Sequence, residues 1–393
     1  MSVGARVDAS RPVGASRGPA PATRMLASLG RLGRPGRIIA PELDSLRTVG
    51  LARGLRRRGL GSDHESRLSG SHADTYRRIW EGAALSVGAE LEELGDGFLV
   101  ISRAGVQTVV RRHLVMINAP ATAALALDKS LVHRLLVEDG LPVSQYLEAD
   151  RDDRATALSF LTRSQQPCVV KPASGTSGGT GVTCGVESAD DLYRSWLGAA
   201  RWDRRLLIER QTHGQEYRLL FLDGELLDSV HRRRPCVMGN GTATVLELIE
   251  AENERRLNVG SGDVSRLIHV DLDCELAVRR SGLSLRSVPA SDQRVTVKST
   301  VSENAMAENS TVHNLSPELI GQARRAAELL HLRLAGIDLV TPDPATSLTE
   351  AEGTILEVNA TPGFHYHYQV SNLKQASPVA VPILQRLLNA EPR

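Results

Sequence analysis

Aromatic residues make up only 3% of this 393-residue chain, too few to build a surface on which nucleic-acid bases stack. An excess of either charge is also missing. The 47 Lys and Arg against 46 Asp and Glu leave a formal net charge of +1, which gives neither nucleic acid nor an anionic membrane a reason to bind. No stretch approaches the ~18 apolar residues that a membrane span requires. The four cysteines, Cys168, Cys184, Cys236 and Cys274, include no pair at metal or redox spacing and read as small buried hydrophobes of a reducing compartment. The expectation is a soluble, cytoplasmic protein with no nucleic-acid or membrane partner. What the chain does have is 41% hydrophobic residues, enough for a core, in a length that suggests two or three lobes.

Residues 1–70 are dominated by Gly, Ala, Ser, Pro and Arg, with Arg56-Arg57-Arg58 as a basic cluster and Ile38-Ile39-Ala40-Pro41 as a potential short strand. Such a composition buries too little apolar surface to offset chain entropy, so a disordered tail is predicted. From Thr75 the pattern tightens. Tyr76, Ile79, Trp80, Ala83, Ala84 and Val87 recur at helical spacing, and 98–101 and 114–117 read as strands, giving a small α/β lobe over 71–127.

A helix over 131–138 stops at Gly140, with Pro142 beyond it, and opens a central lobe over 128–208. Its strands are predicted at 145–147, 168–172, 182–183 and 205–209, with a helix starting near Ser188. In the C-terminal lobe, 209–393, Asp223-Gly224 joins two strands as a hairpin. Helices are predicted near 243–255, 264–279 and 317–331, and two strands follow. Alternating helices and strands with several hairpins indicate an α/β (α+β) fold.

The strand Val169-Val170-Lys171-Pro172 runs into Ala173-Ser174-Gly175-Thr176-Ser177-Gly178-Gly179-Thr180-Gly181. Glycines let backbone N–H groups close around a polyanion, and a lysine ammonium acts on phosphate as a point charge. The lysine precedes the glycines and no Gly-Lys-Ser/Thr occurs, so this is not a Walker loop. Asp128-Lys129 offers a second phosphate lysine. Near the C-terminus, Gly336-Ile337-Asp338 is followed about twenty residues later by Glu357-Val358-Asn359 and then Thr361-Pro362-Gly363-Phe364. Positions 357 and 359 share a strand face. Two carboxylates and an amide oxygen, with no His or Cys, make a hard site suited to Mg²⁺ rather than zinc.

In this order, these pieces resemble the ATP-grasp superfamily of carboxylate–amine ligases from about Thr75 onward. Within it they look most like the ATP-grasp portion of cyanophycin synthetase and related stand-alone amino-acid and peptide ligases. Glu216-Tyr217-Arg218-Leu219, Arg233-Arg234-Pro235 with Gly239-Asn240-Gly241-Thr242, and Asn359-Ala360-Thr361-Pro362-Gly363-Phe364 carry that closer likeness. Two stretches depart from the pattern: Lys298 stands where an Arg is usual, without the Gly-Gly that follows it, and the glycine loop is small-residue throughout. The chain shows no Mur-ligase-like half, so polymer synthesis is not expected.

The resemblance implies an ATP-grasp fold with an N-terminal α/β lobe and ATP held between the central and C-terminal lobes. It implies ATP and Mg²⁺ as cofactors, with Mn²⁺ as a potential substitute. A carboxylate and an amine, one potentially a peptide, are joined through an acyl phosphate, and a homodimer is left open. Lys129 and Lys171 would hold the α- and β-phosphates. Ser174, Gly178, Gly179 and Gly181 would cover the nucleotide, Glu209 and Gln211 would face adenine, and Glu216 the ribose. Asp338, Glu357 and Asn359 would hold the metal. Arg218, Arg233 and Lys298 are the catalytic cations for the carboxylate and the transferring phosphoryl group, and Gly363, His365 and His367 the substrate contacts. Two other readings of the same residues are a nucleotide-binding regulator and a phosphotransferase that releases an acyl phosphate; amine-dependent ADP release separates both from a ligase.

Overall fold

The computed structural model describes residues 60–176, 178–258 and 266–389, and residues 60–393 form one compact unit. The stretch 1–59, with the Ile38-Ile39-Ala40-Pro41 expectation, lies outside the described residues. Helix α1 spans Leu60–Val87 and so begins well before Thr75. Tyr76 and Trp80, one turn apart, are almost fully buried, and Trp80 Nε1 donates to Arg112 O at 2.8 Å. Strands β1 (Glu90–Gly95), β2 (Phe98–Arg103) and β3 (Val106–Arg111) form an antiparallel meander against it. Tight turns with positive φ at Asp96-Gly97 and Ala104-Gly105 join them. The predicted strand at 114–117 reduces to a single bridge from Leu114 to Arg111, because the meander is completed by 106–111 instead.

Short helix α2 (Pro120–Ala126) leads to α3 (Lys129–Glu138), whose N-cap Asp128 accepts from Leu131 N at 3.0 Å. A four-stranded antiparallel sheet then forms from β4 (Tyr146–Asp150), β5 (Cys168–Pro172), β6 (Thr183–Val186) and β7 (Arg205–Arg210) in the order β4-β7-β5-β6. Helices α4 (Arg154–Ser164) and α5 (Ala189–Ala199) cover one face. Phe160, Leu192 and Trp196 pack there against Val170, Leu206 and Ile208.

The second large sheet contains β8 (Gln215–Leu222), β9 (Glu225–Arg232), β12 (Asn309–Thr311), β13 (Leu334–Thr341) and β14 (Thr354–Asn359), in the order β12-β9-β8-β13-β14. The Asp223-Gly224 hairpin forms as read, with φ of 49° and 83°. On one face Tyr217, Leu219, Ile337, Leu339 and Val358 pack against α3 and α8 (Pro317–Leu329). Alternation along the strands therefore turns Arg218, Asp338 and Glu357 to the other face. Farther along that face Leu220, Leu222 and Leu334 meet α1, Phe364 and α9 (Ala380–Leu388). Asn118 ties the N-terminal lobe to this sheet by donating to Leu334 O at 2.6 Å and Ala360 O at 2.7 Å.

A small subdomain holds β10 (Cys236–Met238), β11 (Arg294–Thr296), α6 (Val245–Asn258) and α7 (Leu272–Arg280). Helix α7 starts at Leu272 rather than near 264 because Asp271 is its N-cap, accepting from Cys274 N at 3.0 Å. All four cysteines are free; Cys168, Cys184 and Cys274 are buried, whereas Cys236 is half-buried rather than buried as expected. Among the described residues no helix is long and apolar enough to cross a membrane.

Candidate active site

Strand register builds the floor of a cleft. Asp338 is paired with Arg218 on one side and with Glu357 on the other, Gly336 with Asn359, and Glu216 with Arg232. Directly paired residues share a face, so one patch carries two guanidiniums, three carboxylates and an amide. Arg218 grips Asp338 through two of its three guanidinium nitrogens, with Nη2 donating to Oδ2 at 2.6 Å and Nε to Oδ1. Asn359 Nδ2 donates to the same Oδ2 at 3.1 Å. Gly336 makes this possible: a Cβ there would stand 2.7 Å from Pro362 Cβ and 3.3 Å from Arg218 Cδ.

The opposite wall comes from the β4-β7-β5-β6 sheet. Lys171 and Glu209 form a buried ion pair at 2.8 Å, with His133 Nδ1 3.9 Å from the same carboxylate. Lys129 Nζ donates to Thr176 O at 3.0 Å and lies 3.3 Å from Glu357 Oε1, so it bridges the glycine loop and β14. Gly178 and Gly179 lie over the cleft with φ of 60° and 77°. There Arg266 donates to Gly178 O at 3.3 Å, and a Cβ on Gly179 would strike Ser302 Oγ. The cavity these walls enclose has a volume of about 310 Å³.

Of the residues singled out from sequence, Lys129, Lys171, Gly178, Gly179, Glu209, Gln211, Glu216, Arg218, Asp338, Glu357, Asn359, Gly363 and His365 all line this cavity. Five others do not. Ser174 turns its N–H and hydroxyl onto Asp203 at 2.8 Å, and Gly181 packs on Pro172 and Trp202. Arg233, just past the end of β9, turns away from the cavity and donates to Ala307 O at 2.7 Å. Lys298 is caged by Asp271 at 2.7 Å and by Asp273 and Glu303 at 3.7 Å, three carboxylates that raise its pKa against the opposing effect of burial. His367 is fully buried with Nδ1 2.7 Å from Asp228. Glu209 and Gln211 reach the cavity already engaged, Gln211 accepting from Gly185 N at 2.7 Å.

The cavity also has residues that sequence reasoning passed over. Arg232 is 4% exposed, stands over the Tyr366 ring at 4.4 Å, and keeps an Nε with no hydrogen-bond partner among the described residues. Arg234, Arg266 and Ser299–Ser302 add polar groups, and Val169, Cys184, Val340 and Leu356 an apolar slot. Period-two alternation along 230–234 was the available signal for Arg232 and Arg234 over Arg233. Burial raises the Glu216 carboxyl to about 7, an effect that Asp338 reinforces and that Arg232 and Arg218 oppose.

Among the described residues no group of three or more His, Cys, Asp and Glu is arranged to hold a metal. A cation site at Asp338 and Glu357 therefore depends on the Asn359 amide. That donor set fits Mg²⁺ in kind: two carboxylates and an amide oxygen, hard ligands on neighbouring strand positions. Asn359 donates through Nδ2, which leaves Oδ1 as an acceptor.

Two sheets of a mixed α/β fold face each other across the cleft, with Lys171 and Glu209 on one wall and Arg218, Asp338 and Glu357 on the other. Comparison with known proteins bears out the resemblance to ATP-grasp carboxylate–amine ligases. The chain is 32% identical over 257 residues to cyanophycin synthetase from Trichormus variabilis, covering 62% of this chain and 27% of that protein. It is 27% identical over 267 residues to the bifunctional glutathione-biosynthesis protein of Clostridium perfringens, covering 66% and 34%. Among solved structures, a bifunctional glutathione synthetase from Pasteurella multocida aligns with a TM-score of 0.48 and 22% identity over 76% of this chain and 41% of that one. The chain thus spans about a third of the length of the curated relatives it matches. No family model matches it.

Proposed function

We propose that the chain is an ADP-forming ligase that joins a carboxylate to an amine through an acyl phosphate, with amino acids or an amino acid and a peptide as substrates. The observation that carries this is the convergence, in one cleft, of two lysines, a positive-φ glycine loop and the Asp338–Glu357–Asn359 oxygens. A phosphoryl group moving from ATP to a carboxylate oxygen spreads negative charge over its oxygens, and fixed cations aimed there lower the barrier. Lys129 and Lys171 would meet the polyphosphate. Lys171 already has a counter-ion in Glu209, which holds its ammonium in place and offsets part of its field.

Arg218 and Arg232 face the site of transfer. Arg218 is oriented bidentately by Asp338, and Arg232 stands beside Glu216 at 3.6 Å and Asp338 at 3.9 Å, so both guanidiniums would offer charge to an oxyanion in the cleft. Asp338, Glu357 and Asn359 would hold Mg²⁺, which supplies charge neutralisation to the phosphoryl oxygens; Mn²⁺ would substitute. The loop around Gly178 and Gly179, pinned by Arg266, would exclude water that otherwise hydrolyses an acyl phosphate. The apolar slot of Val169, Cys184, Val340 and Leu356 suits a purine. An amine then displaces phosphate from the acyl carbon and loses one proton to form the amide. A cytoplasmic setting and the lack of nucleic-acid or membrane partners accord with the balanced charge; a homodimer is compatible with the fold. The test is ADP release from ATP and Mg²⁺ with amino acids and short peptides offered singly and in pairs. Release that needs both an acid and an amine supports the reading, and release without an amine opposes it.

A further inference from the structure

Beyond β14 the chain makes a single turn of 3₁₀ helix, Phe364–His367, and the residues around Tyr366 there are held from the interior. The Phe364 ring meets Tyr76 edge-on at 5.1 Å, and His365 Nδ1 lies 2.8 Å from Tyr76 Oη. His367 Nδ1 lies 2.7 Å from Asp228 Oδ2, and the other oxygen of Asp228 accepts from Ser377 Oγ at 2.9 Å. Tyr368 Oη accepts from Ala380 N at 3.0 Å. Between these anchors Tyr366 is half-buried and lines the cavity.

Two guanidiniums share its ring. Arg232 Cζ stands 4.4 Å from the centroid and Arg218 Cζ 5.9 Å. These two arginines meet the nearby acids differently. Arg218 is in bidentate contact with Asp338, with Nη2 at 2.6 Å. Arg232 is buried beside the same carboxylate, yet its ion pairs are long, 3.9 Å to Asp338 and 3.6 Å to Glu216. Its hydrogen bond goes to Val301 O instead, at 3.3 Å. A guanidinium in a dry site gains most by closing on a carboxylate. Val301 O and the π face of Tyr366 are the neighbours that compete for it, and a ring attracts a cation most strongly where the cation is desolvated.

We propose that Tyr366 is a positioning residue for phosphoryl transfer: its ring holds Arg232 out of hydrogen-bond contact with Glu216 and Asp338. The charge of Arg232 is thereby kept for an oxyanion in the cleft, and Asp338 is kept for Arg218 and Asn359. The inference rests on the ligase reading and deepens it by naming what sets the place of the second arginine. Tyr366 acts through Arg232 and not on the reacting atoms. The anchors on either side of it matter because a ring free to move would follow the guanidinium rather than restrain it. An aliphatic side chain at 366 has no quadrupole to offer, so Arg232 would close on the acids.

Crystal structures of variants of the full chain, together with steady-state ADP release from ATP and Mg²⁺ with an acid–amine pair that the unaltered chain uses, test this. Tyr366→Leu should bring Arg232 within hydrogen-bond distance of Glu216 or Asp338. It should lower kcat about tenfold while changing the KM for ATP by less than about threefold. Tyr366→Phe, which keeps the π face, should restore the position of Arg232 and most of kcat. In an Arg232→Lys background Tyr366→Leu should cost less than about threefold more, because residues that act as a unit do not add. ADP binding reports that each variant is folded, and Tyr366→Met takes the place of Tyr366→Leu if that variant is not. Arg232 unmoved or kcat unchanged in Tyr366→Leu overturns the proposal, as does a loss in Tyr366→Phe equal to that in Tyr366→Leu, which would assign the effect to the hydroxyl. Losses that multiply in the Arg232→Lys background overturn it too. ADP release that needs no amine would instead strike the ligase reading, and the position of Arg232 in the Tyr366→Leu structure would still decide the role of the ring.

Discussion

Three consecutive arginines at the end of β9 show how much one residue of register decides. Arg233 was one of three sequence candidates for a catalytic cation, with Arg218 and Lys298, yet its side chain leaves the cleft for Ala307 O, while Arg232 is buried with its guanidinium over the Tyr366 ring. Arg232→Lys keeps the charge but loses the planar fork, and should lower kcat/KM by about 10²-fold or more, the scale of one removed oxyanion donor. Arg233→Lys should change it by less than about threefold; steady-state ADP release compares them directly. The alternation rule made this choice legible in principle, but only with the strand's inward face known. Lys298 lies outside the cavity lining for a different reason, since its carboxylate cage comes from residues 27 positions upstream and five downstream in sequence. Glu216 adds a pH prediction. Its folded pKa near 7 lies above the ordinary 4.5, so between those values the folded state keeps a proton that the unfolded chain has lost. Stability of the nucleotide-free protein should therefore fall as pH rises from about 4.5 to about 7, and Glu216→Gln should flatten that decline in chemical denaturation.

At the scale of elements, strand and hairpin placement was largely readable. Cys168–Pro172 matches residue for residue, and the Asp223-Gly224 hairpin and the two acid-bearing strands also form as read. Local patterns suffice there because alternation and turn chemistry agree. The 114–117 run is apolar for another reason: Val115 and Ile117 pack against the cluster of α1 and α9 without pairing as a strand. Helix α1 holds this lobe to the second sheet through Trp80, whose ring meets Phe364 edge-on at 5.4 Å. Trp80→Ala should cost about 3–5 kcal/mol in denaturant unfolding. Gly336→Ala tests the close approach on β13. With 2.7 Å to Pro362 Cβ, the added methyl should cost about 1–3 kcal/mol and displace Arg218.

For the whole molecule, near-zero net charge hides a strongly polarised interior. Seven Lys and Arg side chains and four Asp and Glu line the cleft, although the chain overall carries +1. That cleft draws on α1, on the β4-β7-β5-β6 sheet and on the second large sheet, a convergence that order and spacing along the sequence indicated through the resemblance but that no single motif specified. The N-terminal lobe's share, His72 and His113, had no local signature, because a histidine acquires meaning only from what folds against it. The central claim is that this cleft uses ATP to activate a carboxylate for attack by an amine. Its most direct test is ADP release from ATP and Mg²⁺ across acid and amine pairs, with Glu357→Gln as control. The account predicts release only when both partners are present, lost by at least about 10²-fold in the variant. Release that proceeds equally without any amine, or that survives Glu357→Gln unchanged, would contradict it.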